Sequence, residues 1–486
     1  MTLDLPATAF TCLVLYTAWR FWRRPAWWRL VAWSLALGLA GATRYTLVFV
    51  VPVLIVMTLV YAAQLTPADG GANLLASLPD GKPRLRNQQP CQEHRNKFRL
   101  PSRIVKTLAA LGLAGAIAAL TVWAVYGFTF GPVPDWGIRL PAPAYFYDLK
   151  ELLAYRDKPQ DAFLLGRHYT GGWWPYFVVT LAVKTPLPVL VLLGAVLASF
   201  VRWREIRQSE LLILTTSGFY YALSLLSPFN IGHRHLLPIL PLLAILAGRL
   251  GPRVVAGRRL WCYATGVLIG WLVFGTLRIY PHFLAYFNEL VGPRNGYRVL
   301  VDSNLDWGQD LPALEQYLAE HHVSSLYLSW FGESRPWQYD ISYRFIPSKP
   351  DELTDLYARV YHPDYPPPGI YAISATNLQA LLFDDKDLFA WFLQREPVAQ
   401  PGYSILIYEV PRLLDPDAPP VTVALGSTQI DRVPPAAFET LWHTNDLRLR
   451  WFDPDTSCLL PVELDGWYVF KAEASPAWCR FWEGTG

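Results

Sequence analysis

The chain has 486 residues, 52% of them hydrophobic and 15% aromatic, with only 17% charged; a soluble domain carries about 25% charged residues. A formal net charge of +3 is near neutral and argues neither for nor against a nucleic-acid partner. No basic patch interleaved with aromatics occurs outside the loops flanking apolar runs, so nothing points to a nucleic-acid partner. The average hides two populations: apolar runs broken by Arg-rich loops over residues 1–280, and ordinary water-soluble sequence over 281–486.

The opening MTLDLPATAF has Asp4 and no basic residue before its apolar stretch, unlike a signal peptide. A straight bilayer helix needs about 20 apolar residues, fewer where it is broken. In chain order the predicted spans are eight: 5–19, 30–43, 45–62, 107–128, 183–201, 211–227, 236–250 and 260–280. Orientation follows from the loops. Arg20, Arg23, Arg24 and Arg29 follow the first span, and eight Lys and Arg residues between Lys82 and Lys106 follow the third. Arg202, Arg204 and Arg207 follow the fifth, and Arg249, Arg253, Arg258 and Arg259 the seventh. These alternate loops are expected in the cytoplasm, with the N-terminus and everything after Tyr280 outside. Residues 63–106 read as a flexible cytoplasmic loop and 129–175 as an aromatic-rich outer loop, lining either a sugar site or the membrane interface.

Beyond the spans, YRVLVDSN (297–304), SSLYLSWF (324–331), GIYAISATNL (369–378) and YSILIYEV (403–410) read as strands. DLPALEQYLAEHH (310–322) and a run near 387–394 read as helices. The alternation predicts a soluble α/β domain over 281–410. PRLLDPDAPP (411–420) reads as a linker, and 421–486 as a β-rich tail built on TVAL, LRLRWF and WYVF. The fold class expected is a polytopic α-helical membrane domain, then an α/β domain, then the small β-rich tail. Five cysteines (Cys12, Cys91, Cys262, Cys458 and Cys479) lack CxxC or Cys/His metal spacing. Cys458 and Cys479 could pair in an oxidising compartment.

Charges at membrane depth face a cavity or a partner. The predicted topology puts Asp4, Arg44, Lys184, His233, Arg234, His235 and Arg278 at one face of the membrane. One acid among several cations suits an anionic lipid headgroup, because Arg and Lys bind phosphate through charge-assisted hydrogen bonds. Snorkelling explains Arg278 better. Arg44, inside GATRYTLV, and Lys184, ahead of two prolines, are the firmer candidates; the His233–His235 stretch suits a headgroup clamp or a helix cap equally. Asp302, Asn304, Asp306, Trp307 and Gln309 in VDSNLDWGQD form a polar group that could contact substrate at a strand end or cap the following helix.

PHFLAYFNELVGPRNGYRVLVDSNLDWGQDL (281–311) resembles a signature of the bacterial dolichyl-phosphate-mannose protein mannosyltransferase-like family, glycosyltransferase family 39 of the GT-C superfamily. NIGHRHLLPILP, GWWPYFVVTLAVKTPLP, GLAGATRYTLVFVVP, GIYAISATNLQ and PGYSILIYEV also resemble stretches of that family, in the same order, and together they cover about residues 1–410. The resemblance implies transfer of a sugar from a polyprenyl-phosphate donor to an acceptor at the outer face of the bacterial cytoplasmic membrane. It implies a phosphate held by residues such as Arg44, Lys184, His233 and Arg234. Asp4 matches the family's second acidic position, near the active site. The family's first spans and acidic outer loop have no counterpart here, which implies a further chain or segment supplying them. The alternative is a non-catalytic membrane subunit whose outer domain binds a glycan or a partner. No nucleotide-sugar motif is present, no cofactor is legible, and a divalent metal stays open.

Overall fold

Backbone amides in an apolar medium must be satisfied within their own segment, so apolar runs become helices. A computed structural model describes residues 4–45, 50–64, 99–156, 158, 160–200, 206–257, 259–349, 360–453 and 466–470. Most of the 63–106 loop and the Cys458–Cys479 pairing lie outside them. The chain divides into two compact units, Met1–Gln160 with Gly171–Val273, and Asp161–Thr170 with Phe274–Gly486.

The first unit opens with helices α1 (Asp4–Arg23), α2 (Trp27–Thr43), α3 (Val50–Gln64) and α4 (Arg99–Val125). A short antiparallel pair, β1 (Phe130–Pro132) and β2 (Arg139–Pro141), precedes α5 (Pro143–Arg156). Then come α6 (Pro175–Lys184), α7 (Leu187–Ser199), α8 (Gln208–Leu225), a 3-10 turn at His233–Ile239, α9 (Leu240–Ala247), α10 (Gly251–Val255) and α11 (Arg259–Ile279). Helix thus occupies every predicted span among the described residues, although fewer than eight of these helices are long and apolar enough to cross a membrane on that basis alone. By length and composition three runs among the described residues can cross a membrane: Val105–Val125, His233–Val255 and Arg259–Ile279. A fourth follows if α6 and α7, bent by 115°, form one span. The bend falls at Pro186, which lacks an N–H for the helical ladder. The shortfall has physical causes: α2 has 17 residues and α3 has 15, while α1 carries Asp4, Arg20 and Arg23.

Inside the bundle, Leu15, Phe21 and Trp22 of α1 pack with Trp33 of α2 and Leu54 of α3. Buried hydroxyls are satisfied locally: Thr8, Thr11, Ser34 and Thr58 each donate to the carbonyl four residues back. Trp22 Nε1 donates to Thr58 Oγ1 at 3.2 Å. Most of α11 faces outward, with Leu260 77%, Val267 67% and Phe274 65% exposed. So large an apolar face fits a bilayer better than water.

The second unit takes in a hairpin from the predicted outer loop, β3 (Asp161–Leu164) and β4 (Arg167–Thr170), turning through Leu165 and Gly166 at φ +52° and +78°. Lys386 Nζ reaches Asp161 Oδ2 at 3.1 Å, and His168 Nε2 lies 2.6 Å from the Gln379 carbonyl. Helix α12 (Leu311–Glu320) lays Leu311, Leu314 and Leu318 on a mixed sheet ordered β6-β5-β7-β8. Its strands are β5 (Leu326–Ser329), β6 (Tyr343–Phe345), β7 (Gly369–Ser374) and β8 (Ile405–Val410). Burying each leucine contributes roughly 2 kcal/mol. A second, all-parallel sheet, β10-β9-β11, joins β9 (Val421–Gly426), β10 (Leu447–Phe452) and β11 (Gly466–Phe470). PRLLDPDAPP is tied down: Leu413 N–H donates to Asn445 Oδ1 at 2.7 Å. One expected strand is absent. YRVLVDSN forms parts of two 3-10 turns, Pro293–Arg298 and Asp302–Asn304. Its successive residues Leu300 and Val301 are both buried, so the alternation reflects burial on two sides rather than a pleat.

Helices α2 and α4 meet through small residues. A Cβ on Gly38 would sit 2.7 Å from the Ala118 carbonyl oxygen and 2.5 Å from Thr121 Cβ. Gly38→Leu is therefore expected to destabilise the bundle by about 1–3 kcal/mol. Thermal unfolding in detergent measures it; an unchanged midpoint would show that the two helices do not approach so closely.

Candidate functional site

In the first unit, the predicted polar residues come together through helix ends. Asp4 opens α1 and is 4% exposed. Its carboxylate forms an ion pair with the Arg44 guanidinium, and Arg44 caps α2, its backbone N–H donating to the Ala40 carbonyl at 3.2 Å. The His233–Ile239 turn packs on α1, α6 and α8. Arg44 lies within charge–charge reach of Arg234 and Tyr220, His235 within reach of Arg44 and Arg234, and His233 within reach of Lys184. The Asp4 carboxylate, paired with Arg44, thus belongs to a group that also holds the basic side chains of Arg234 and Lys184. Arg278 is exposed in the last turn of α11.

The facing helices add neutral polar groups that sequence reading passed over. Thr180 lies one turn before Lys184 on α6, and Thr216 one turn before Tyr220 on α8. Thr180 Oγ1, Thr216 Oγ1, Ser217 Oγ and His235 Nε2 are buried with no hydrogen-bond partner among the described residues. A buried polar atom without a partner costs about 1–3 kcal/mol, so these groups suit a hydroxylated ligand. The run TTS at 215–217 inside an apolar helix was the available signal. The aromatic loop is fastened nearby: Tyr155 stacks on Phe229 at 5.7 Å and 7°, and Tyr45 Oη donates to the Tyr145 carbonyl at 3.0 Å.

In the second unit, Asp302, Asn304, Asp306, Trp307 and Gln309 occupy one loop, most of it wired inward. Asp302 holds φ +56°, and its N–H donates to Thr376 Oγ1 at 3.0 Å. Asn304 Nδ2 donates to the Val301 carbonyl at 3.3 Å. Asp306, fully buried, accepts from the N–H groups of Gly308 and Thr376 at 3.3 and 3.4 Å. Gln309 Nε2 donates to the Leu305 carbonyl at 3.1 Å and to Asp310 Oδ2 at 2.9 Å. Trp307 is 43% exposed. The sequence reading did not single out Asp310, which the fold makes a hub. Its Oδ2 also accepts from Ser404 Oγ at 2.7 Å, and its Oδ1 lies 3.3 Å from His282 Nδ1. Burial pushes the Asp310 carboxyl above its ordinary range, while Ser404 and His282 pull it back. Asp306 goes further: burial drives it up to about 8 against the two N–H groups.

Among the described residues no three His, Cys, Asp or Glu side chains gather, so these residues do not fit a divalent ion held by protein ligands alone. No family model, no curated protein and no solved structure matches the chain.

The elevated Asp306 carboxyl has a pH signature. The folded chain keeps this proton up to about pH 8, whereas an unfolded Asp releases it near pH 4, so its contribution to stability is lost as pH rises across that window. Asp306→Asn removes the titration. Thermal unfolding of both proteins at stepped pH should show the variant gaining on the wild type as pH increases. Parallel curves would mean that Asp306 is ionised in the fold.

Proposed function

We propose that the chain is a membrane glycosyltransferase of the GT-C kind, or the polyprenyl-phosphate-binding portion of one. In this reading the cationic group of the first unit holds the phosphate of a polyprenyl-phosphate sugar. One observation carries it: the Asp4–Arg44 ion pair gathers with Arg234 and His235, and Lys184 with His233, at one end of an apolar helix bundle. Basic side chains gathered among apolar helices suit an anionic headgroup, which they bind through charge-assisted hydrogen bonds. A phosphate on a polyprenyl tail reaches such a site without leaving the bilayer.

In the transfer, the acceptor hydroxyl oxygen bonds to the anomeric carbon as the bond from that carbon to the phosphate oxygen breaks, and the hydroxyl proton passes to the departing phosphate or to water. The electron pair leaves on the phosphate, and Arg44, Arg234 and Lys184 stabilise that charge, with His233 beside Lys184. Asp4, held in its ion pair, orients Arg44. Thr180, Thr216 and Ser217 supply hydroxyls toward the sugar. In the second unit, considered by itself, Trp307 is the loop member exposed enough to meet a ligand of that unit. The Lys and Arg distribution supports placement in a bacterial cytoplasmic membrane with the second unit outside.

One observation favours the second reading, a non-catalytic binding subunit. Asp4, the only acid of the cationic group among the described residues, is engaged by Arg44 and poorly placed to deprotonate an acceptor. The full chain in liposomes carrying polyprenyl-phosphate mannose separates the two: sugar release or transfer supports the enzyme, binding without turnover supports a lipid-binding subunit, and no binding defeats the polyprenyl-phosphate reading and leaves the subunit whose outer domain binds a glycan or a partner. Arg44→Ala and Lys184→Ala are each expected to weaken binding of the polyprenyl phosphate about tenfold or more. Unchanged affinity in both would remove these residues from the site.

A further inference from the structure

The cationic group occupies one end of the first unit, and the other end is built differently. Helix α1 places Asp4 and Arg23 at opposite ends of 20 residues, a rise of about 30 Å. Helix α8 likewise separates Tyr220 from Arg207, and the His233–Val255 run separates His233 from Arg253. At the arginine end lie two cavities. One, of about 490 Å³, sits between α1, α3 and the start of α8, with Arg23 and Arg207 facing Trp22, Met57, Val60 and Leu211. The other, of about 550 Å³, sits between α8 and the α9–α10 turn, with Arg207, Arg249 and Arg253 facing Ile213 and Leu246. The cavities share Arg207 and Ser209.

Their charge is unbalanced. Among the described residues Glu210 is the only acidic side chain lining either cavity. It is engaged by Arg249, 2.6 Å away, and by the Arg207 backbone N–H at 2.9 Å. Arg23, Arg207 and Arg253 form no ion pair among the described residues; Arg23 lies over Trp19 and Arg253 over Trp261. The first backbone N–H groups of α8 add partial positive charge between the cavities. A free phosphate would have no use for the apolar walls, and an uncharged lipid no use for the arginines. A lipid with a phosphate head and acyl chains uses both, as basic pockets between membrane helices do.

We propose that these adjoining cavities form a binding site for an anionic phospholipid. Its phosphate is held by Arg23, Arg207 and Arg253 and its chains by the α3, α8 and α9 walls. The site is distinct from the cationic group around Arg44 and needs no sugar transfer, so its failure leaves the proposed function untouched.

The test uses the full chain in phosphatidylcholine nanodiscs into which phosphatidylglycerol with a photoactivatable chain is titrated, with crosslinks mapped by peptide. Crosslinks are expected in α1, α3, α8 and α9, saturable and resistant to inorganic phosphate. Each arginine near a lipid headgroup contributes enough that Arg207→Gln with Arg253→Gln should lower apparent affinity roughly thirtyfold. Arg23→Gln, at an exposed helix end where folding is little affected, should lower it about fivefold. Arg139→Gln, on β2, should leave it unchanged. Equal labelling by a phosphatidylcholine probe would overturn the proposal, as would full affinity in the arginine variants. Displacement by inorganic phosphate alone would make it a free-anion site instead.

Discussion

Asp4 and Arg44 sit where α1 begins and α2 ends, and their ion pair closes the hairpin that the rest of the first unit packs against. Burying both charges is tolerable only because they are buried together; either alone would leave an uncompensated ion among apolar helices. With the hairpin closed, the His233–Ile239 turn has a surface to lie on, and that turn brings Arg234 and His235 to Arg44. The same pair fixes the Arg44 guanidinium within the basic group.

A polarity along the bundle follows. At one end, cations meet buried hydroxyls of α6 and α8, the chemistry of an oxyanion beside a polyol. At the other, arginines border cavities with apolar walls, the chemistry of a phospholipid. Between the ends several buried hydroxyls, those of Thr8, Thr11 and Ser34, are satisfied within a turn of their own helix. The ends therefore bear the recognition, and the middle acts as a spacer.

The second unit manages its polar groups differently. Asp310 directly precedes Leu311, the first residue of the apolar stripe of α12, and Asp306 lies five residues before it, where carboxylates are costly. The fold meets that cost with N–H groups from Gly308 and Thr376, the Ser404 hydroxyl and the side chains of Gln309 and His282, and by keeping Asp306 protonated. Read as capping and turn chemistry, the VDSNLDWGQD stretch holds the loop in place, while Trp307 stays outside it.

Periodicity and composition determined much by themselves. They located a helix at each apolar run, the stripe of Leu311, Leu314 and Leu318, strands at 326–329, 369–374 and 405–410, and Asp4, Arg44 and Lys184 as charges out of place in apolar surroundings. These are local properties, written in spacing and hydropathy within a few turns. What only the tertiary structure decided is non-local. It paired Asp4 with Arg44 across 40 residues, moved the 161–170 hairpin into the second unit, and turned 297–304 into 3-10 turns rather than a strand. It made Asp310 a hub through Ser404, 94 residues away, and brought Arg23 and Arg253 to one pair of cavities. Such partners are chosen by packing between segments, and the spacing within one segment carries no record of which other segment it will meet.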